Sequence, residues 1–500
     1  MTEILSAFFH IASFPTLLLV GGGVLLGLIF GIIPGLTATL AVVLLIPLTY
    51  GLDALTGIAL LVSVYIGGIS GGMVSAILLG MPGTPSSITT AFDGFPMARQ
   101  GQAGKALYAA TYSNFAGTAF SWLFLVTVSS QLAHFALRFG PFEYVAVIIF
   151  GLTTVVSLSG DSVFKGLIAT LFGLSVCTVG LDPLGGLTRS VFGFEALRSG
   201  VSAVPAMIGL FVVAEVFRNL EEKVSVVTRS QLAVDHRQRF SLPELRKSTG
   251  NMLRSSCIGF AIGLLPGIGG SLANFVSYDQ AKKASPDPDS FGKGNVQGVI
   301  ASETANNATI GGALIPTLSL GIPGDVVTAA LIGGLQLHGL DPGPLLFVER
   351  ADFIYGLYVA FIIAAIFMFL FLYFLGARFG PYLLLVPKKY LLPVVLLACT
   401  AGCYNLSYSI GDVWIALIFG GIGFVFSKYK YPLAPIVISL VLGNTLERQL
   451  RTGLIQSDGS LMPLVSSPIP LFFLLAAVLS LGYALWRQRT MFRKATAAAS

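Results

Sequence analysis

The sequence predicts an all-α polytopic membrane protein: two inverted transmembrane repeats whose helices are broken at Pro-Gly pairs or fold back as re-entrant hairpins. Three observations carry this. Hydrophobic residues fill 55% of 500 positions and charged ones 10%, against about 25% charged in soluble domains, and mean hydropathy is +0.84. Apolar runs of spanning length recur throughout the chain. The charges are segregated: residues 1–98 hold no Lys or Arg, whereas Arg218–Arg254 holds eight basic and four acidic residues. A net charge of +6 distributed in this way reflects loop orientation and gives no sign of nucleic-acid binding.

Taken in order, apolar runs lie near 16–33, 55–79, 106–135, 142–159, 163–180, 200–217, 254–276, 353–377, 390–405, 411–427, 431–447 and 467–487. Shorter or Gly/Pro-broken runs occupy 36–50, 297–320 and 325–338. At about 20 residues per crossing, roughly 10–14 membrane segments are expected. The 58 glycines suit close helix packing and helix breaks inside a bilayer. The expected organisation is a first transmembrane repeat over 1–217, a basic cytoplasmic linker over 218–253, and a second transmembrane repeat with a cytoplasmic tail over 254–500. Placing the basic linker in the cytoplasm puts the N-terminus outside and the C-terminus inside, although Arg138, Arg189, Arg198, Arg448 and Arg451 run against that scheme. No cleavable signal peptide is evident, so the first span is expected to direct insertion. Cys177, Cys257, Cys399 and Cys403 read as free thiols.

An internal repeat underlies the two halves. Gly31-Ile-Ile-Pro34-Gly35 parallels Gly263-Leu-Leu-Pro266-Gly267, and Leu79-Gly80-Met-Pro82-Gly83 parallels Leu320-Gly321-Ile-Pro323-Gly324. A weaker match pairs Gly160-Asp161 with Gly411-Asp412. The charge pattern places corresponding loops on opposite sides, so the repeats are expected to be inverted. Inverted repeats with broken helices at matching positions mark secondary transporters.

The breaks define the expected substrate cradle. Proline removes a backbone donor, and a broken helix at membrane depth persists only where its freed groups line a cavity or meet a ligand. Small polar residues follow the breaks: Thr37 after Pro34-Gly35; Thr84, Ser86 and Ser87 after Pro82-Gly83; Gly269, Gly270, Ser271 and Asn274 after Pro266-Gly267. Half-helix N-termini and side-chain donors of this kind can receive a carboxylate without a buried Lys or Arg. Each single hydroxyl could equally cap its own helix.

A second constellation is Glu303-Thr304-Ala305-Asn306-Asn307. Glu303, Asn306 and Asn307 share one helical face, which suits Na⁺ coordination, with Asn306 and Asn307 as ligands of a transported ion, or a proton-carrying carboxylate. A Glu303–Lys293 pair at the interface is the plainer alternative. Asp325 and Thr328, after Pro323-Gly324, are further ion-coupling candidates, and Asp93 is a weaker one in an expected loop. Na⁺ or H⁺ as coupling ion is the whole of the cofactor expectation. Gly68-Ile-Ser70-Gly71-Gly72 lies inside an apolar run and is rejected as a hydrolase elbow. The four histidines lack a nucleophile partner, and no phosphate-binding loop is present, so no enzymatic activity is expected.

The stretches Gly31–Thr39, Gly67–Lys105 (including Gly80–Ser87 and Asp93–Met97), Gly263–Tyr278, Glu303–Gly324, Gly339–Leu346 and Gly411–Gly443 resemble the large membrane subunit of tripartite tricarboxylate transporters, the TctA-type permeases. That resemblance implies two partners, a small membrane subunit of about four spans and a periplasmic solute-binding protein. It also implies import of citrate-like organic carboxylates across a bacterial inner membrane, driven by an ion gradient and not by ATP. By position it assigns Pro82–Ser87 and Pro266–Asn274 to the substrate cradle. A carboxylate-permeable channel and a scaffold subunit without coupled transport remain the alternative functions.

Overall fold

The computed structural model describes residues 2–158, 162–221, 235, 238–267 and 269–499. Gly160-Asp161 and most of the 222–237 segment lie outside the described residues.

The first half begins with α1 (Thr2–Ile11) and α2 (Phe14–Ile32). The Pro34-Gly35 break follows, with Gly35 at φ 89°. Thr37 then caps α3 (Ala38–Leu45) by accepting a bond from the Leu40 N–H at 3.2 Å. Asp53 caps α4 (Ala54–Leu79), and Gly80 at φ 66° closes it in the left-handed conformation that favours glycine. The Pro82-Gly83 break leads through a tight turn at Pro85–Ser87 into α5 (Ile88–Arg99). α6 (Ala103–Ala136), α7 (Pro141–Leu158) and α8 (Val163–Cys177) follow, then a short hairpin of β1 (Gly180–Leu181) and β2 (Thr188–Arg189). α9 (Ala203–Met207) continues through a π-helical turn at Ile208–Val213 into α10 (Ala214–Glu221).

In the second half, α11 (Leu242–Gly263) opens on a Ser241–Glu244 capping box and ends at the Pro266-Gly267 break. α12 (Gly269–Lys283) and α13 (Val296–Leu320) come next, with Gly321 at φ 71° closing α13 as Gly80 closes α4. α14 (Val326–Leu337) starts at Asp325. α15 (Pro344–Glu349) precedes α16 (Ala351–Phe371), which passes through a second π-helical turn, Leu372–Gly376, into α17 (Ala377–Leu383). α18 (Lys388–Ser407), α19 (Ile410–Lys428), α20 (Ala434–Gln456), α21 (Pro463–Ser466) and α22 (Pro468–Ala499) complete the chain.

Among the described residues, eight helices are long and apolar enough to cross a membrane and most of the remainder is helical, so the chain is an all-α polytopic membrane protein. α13 is not among the eight because it is too polar. It is nevertheless buried without interruption from Gly298 to Ser319, as α4 is from Thr56 to Leu78. Protein, not lipid, surrounds its polar side chains, which is where such residues are tolerated at membrane depth.

The repeat is visible in the packing. α2 runs along α4, and α11 runs along α13. A Cβ on Gly27 would stand 2.3 Å from the Val64 carbonyl oxygen, and one on Gly259 would stand 2.2 Å from that of Ala305. Gly31 against Gly71 and Gly263 against Gly312 repeat the match one turn on. Equivalent glycines therefore let equivalent helix pairs approach backbone to backbone. The halves also interlock, with α6 lying against α13 and α16 against α4.

At the hairpin, Arg189 forks onto Glu447 with two bonds of 2.5 Å, and Arg451 reaches Asp182 at 2.5 Å. Two of the five arginines that break the charge segregation are thus neutralised by carboxylates. Arg451 and the N–H groups of Gly185 and Leu184 hold the Asp182 carboxyl well below the usual carboxylate range.

Candidate functional site

The two first-half breaks converge. Gly35 and Thr37 from one, and Pro82, Gly83, Thr84 and Pro85 from the other, line a cavity of about 480 Å³, a size typical of small-molecule sites. Gly83 is the only residue that fits its place: a Cβ there would meet the Gly31 carbonyl oxygen at 2.1 Å. Leu210, Phe211, Ala214, Glu215 and Arg218 form the facing wall, with Ser427 and Leu433 at the rim. The π-helical turn inserts an extra residue per turn immediately before this wall, a local irregularity common at functional sites. Arg218 is ion-paired to Glu215. Neither residue is singled out by the sequence, in which Arg218 opens the basic linker and Glu215 falls at the end of the apolar run 200–217.

Pro34 sits half-buried at the first turn and is not part of the lining. Ser86 and Ser87 face away from the cavity. Thr84 shares hydrogen bonds with Ser86 (3.1 Å) and Ser87 (3.0 Å), which fixes the segment as a self-bonded loop. A Cβ on Gly270 would contact the Cβ of Ser86 at 3.0 Å and Oδ1 of Asn306 at 2.5 Å. The Pro82–Ser87 segment is therefore a partition, with the open cavity on one side and the second-half break on the other.

Behind the partition lie buried polar groups without protein partners. Both amide atoms of Asn274 and of Asn306 lack a hydrogen-bond partner, as do the hydroxyls of Thr89, Ser302 and Thr304. Asn274 lies one turn beyond Gly270 on the same face of α12. Buried polar atoms are normally bonded, so a cluster of orphans marks a place for an ion, water or ligand oxygens.

The other second-half residues close on themselves. The Gly267 N–H bonds the Gly324 carbonyl at 2.7 Å, tying the two breaks together. Pro266 is buried near Gly151 of α7, and a Cβ on Gly267 would run into Val155. Gly269 lies near the Asp325 Cβ, and Ser271 is half-buried. Asp325 caps α14: its Oδ1 accepts the Thr328 N–H (2.8 Å) and hydroxyl (2.9 Å), and its Oδ2 accepts Tyr65 Oη–H at 2.5 Å. The structure thus gives Asp325 and Thr328 a capping arrangement.

Glu303 is buried within α13 and makes no contact with Lys293. Thr90 donates to its Oε1 at 2.5 Å. The Asn114 amide of α6 has two orientations: in one it accepts from Asn307 Nδ2 at 2.8 Å, and turned over it donates to Glu303 Oε2 at 2.8 Å. Ser70 donates to Asn307 Oδ1 at 2.6 Å. Asn307 is therefore fully engaged while its neighbour Asn306 is bare. Asn114 and Thr90 carry part of this network, and sequence periodicity could not show it because their partners lie on another helix. Asp93 departs from expectation: it is fully buried in α5, where Tyr278 (2.8 Å) and the N–H groups of Gly292, Gly294 and Asn295 bond it. It staples the α12–α13 connection to the first half.

Residues 17–438 match the family model described as the tripartite tricarboxylate transporter TctA family. The chain belongs to that family. TctA proteins form the large membrane subunit of tripartite tricarboxylate transporters, which work with two further components. Among curated relatives, an uncharacterized 52.8 kDa protein in the TAR-I ttuC' 3' region of Agrobacterium vitis is 35% identical over 465 residues, covering 92% of this chain and 90% of its own. An uncharacterized protein in the TAR-II ttuC' 3' region of the same organism is 33% identical over 225 residues, 45% of this chain and 90% of its own. No solved structure matches the chain.

Proposed function

We propose that this chain is the large permease subunit of a binding-protein-dependent secondary transporter that imports organic di- or tricarboxylates, coupled to Na⁺ or H⁺. The observation that carries it is the partition: an open cavity built from both first-half breaks, backed by a cluster of unpartnered buried amides and hydroxyls. Substrate carboxylates would meet the Gly83–Thr84 side, and the coupling ion would occupy the Asn274–Asn306 side. A shared loop between two sites lets occupancy of one bias the other.

Arg218, the first residue of the basic linker, and Ser427 line the cavity. With that linker in the cytoplasm, this is the inward-open arrangement. Inverted repeats would give the outward-open one by exchanging the roles of the two break pairs. The small membrane subunit and a periplasmic binding protein would complete the system in a bacterial inner membrane.

The test is uptake of a radiolabelled carboxylate panel into proteoliposomes holding this chain with its small subunit, with and without binding protein, under imposed Na⁺ or H⁺ gradients. Accumulation that requires a gradient supports the proposal and names the ion. Equilibration without accumulation would favour a channel, and no flux of any acid would refute the substrate class.

A further inference from the structure

We propose that Arg218 is the residue that receives a substrate carboxylate in the first-half cavity, and that Glu215 holds its guanidinium in place while the cavity is empty. This rests on the transporter proposal above and assigns a specificity-determining residue within it.

The cavity's break wall offers only neutral groups: Thr37, Thr84 and backbone. Among the described residues, its charged lining side chains are Glu215 and Arg218. They are one turn apart on α10 and form an ion pair. The two partners are unequal. Glu215 is only 9% exposed whereas Arg218 is 47% exposed, and Asn219 Nδ2 donates to Glu215 Oε1 at 2.7 Å. The carboxylate is thus the buried, anchored partner, and the guanidinium at the cavity wall is the more exposed one. At the rim, Lys428 bonds Glu221 at 2.6 Å, which holds the end of α10 against α19. Arg218 is therefore carried on a fixed helix and pointed at the space between that helix and the breaks.

A guanidinium carries five donors in a planar fork that matches a carboxylate. Glu215 presents the same chemical group that an organic acid would bring. A substrate carboxylate entering the cavity competes for that fork, and the neutral donors at Thr37 and Thr84 remain for its other oxygens. No covalent bond changes; one carboxylate replaces another at the guanidinium. An acid with several carboxyls can set one on the guanidinium and bond the others to the neutral donors, whereas acetate offers a single carboxylate.

The experiment is initial-rate uptake of citrate, and of acetate as a monocarboxylate comparison, by the reconstituted complex carrying Arg218→Ala, Arg218→Lys or Glu215→Gln. Losing a hydrogen-bonded charge contact raises KM for citrate by about tenfold to a hundredfold in Arg218→Ala, with partial recovery in Arg218→Lys. Glu215→Gln removes the competitor and lowers KM. The opposite signs are the decisive readout, because a purely structural ion pair would be broken equally by both changes and would move KM the same way. The same direction of change in both variants, or an unchanged KM in Arg218→Ala, would overturn the inference while leaving the transporter proposal standing. Acetate carried by the unmodified complex in preference to every di- and tricarboxylate of the panel would overturn it as well. Failure of every acid would overturn the transporter proposal itself.

Discussion

The two pairs of helix breaks share a sequence pattern and differ in what surrounds them. In the first half, Gly35, Thr37, Pro82, Gly83 and Thr84 open onto a cavity, and among the described residues no backbone bond joins Gly35 to Gly83. In the second, the Gly267 N–H bonds the Gly324 carbonyl, Asp325 caps α14, and Tyr65 from the first half seals the carboxylate. One pair is open and the other locked. Two copies of one motif stand in opposite conditions within one structure, and the Gly267–Gly324 bond has no counterpart between Gly35 and Gly83 among the described residues.

The largest effect is expected from the partition itself. In Gly83→Ala the new Cβ has backbone on one side and Gly72 and Ser75 on the other, so nothing flexible can give way. Overpacking of this kind costs about 2 kcal/mol, and uptake in proteoliposomes should be lost along with a lowered thermal midpoint. Retained uptake would break the comparison, because the Pro82–Ser87 segment would then tolerate displacement.

Asn306 and Asn307 sharpen it next. Asn307 is bonded to Ser70 and Asn114; Ser70 keeps its bond to the Ile66 carbonyl, but Asn307→Leu leaves the buried Asn114 amide without that partner, at about 1–3 kcal/mol. Asn306 has no protein partner, so Asn306→Leu should leave the thermal midpoint unchanged or raised while abolishing gradient-driven accumulation. A destabilised Asn306→Leu with normal transport would remove the orphan cluster from the mechanism.

A smaller effect is expected at the lock. Tyr65→Phe deletes the hydroxyl bonded to Asp325, leaving the Thr328 cap intact. A stability loss of about 1 kcal/mol follows, with KM for substrate unchanged, as measured by thermal unfolding and initial-rate uptake.

The smallest effect concerns the hairpin outside the membrane helices. The Asp182 carboxyl is held low by Arg451 and two backbone N–H groups. A depressed folded pKa contributes stability that is fully present above the unfolded value, about 3.9, and is lost only as pH falls through the lower folded one. The protection factors for amide exchange of residues 178–202, taken relative to intrinsic rates at each pH, should therefore be flat from neutral pH into the mildly acidic range and lower in Asp182→Asn.

Much of this was legible in the sequence, for identifiable reasons. Membrane class, the paired breaks and the burial of Glu303 follow from composition and local spacing, because each depends on residues near one another in the chain. The capping of α14 by Asp325 was partly visible, since Asp325 and Thr328 are three apart. Three things were not. Tyr65 meets Asp325 across 260 positions, and Asn114 meets Asn307 across 193; pairing at that range has no periodic signal. The distinction between Asn306 and Asn307 depends on a rotation of about 100° around one helix and on which neighbours that rotation finds. Arg218 reads as the first residue of the basic linker and Glu215 as the tail of an apolar run, and only the position of α10 against the breaks makes them part of a cavity.

The most direct test of the open-and-locked account is substrate protection of engineered thiols. Thr84→Cys and Ser271→Cys would each be placed in a cysteine-free background of the reconstituted complex, then labelled with a small maleimide, with and without citrate or another acid the complex carries. The account predicts that substrate slows labelling at position 84 and leaves position 271 unaffected. Protection at 271 without protection at 84 would contradict it, placing the substrate at the second-half breaks.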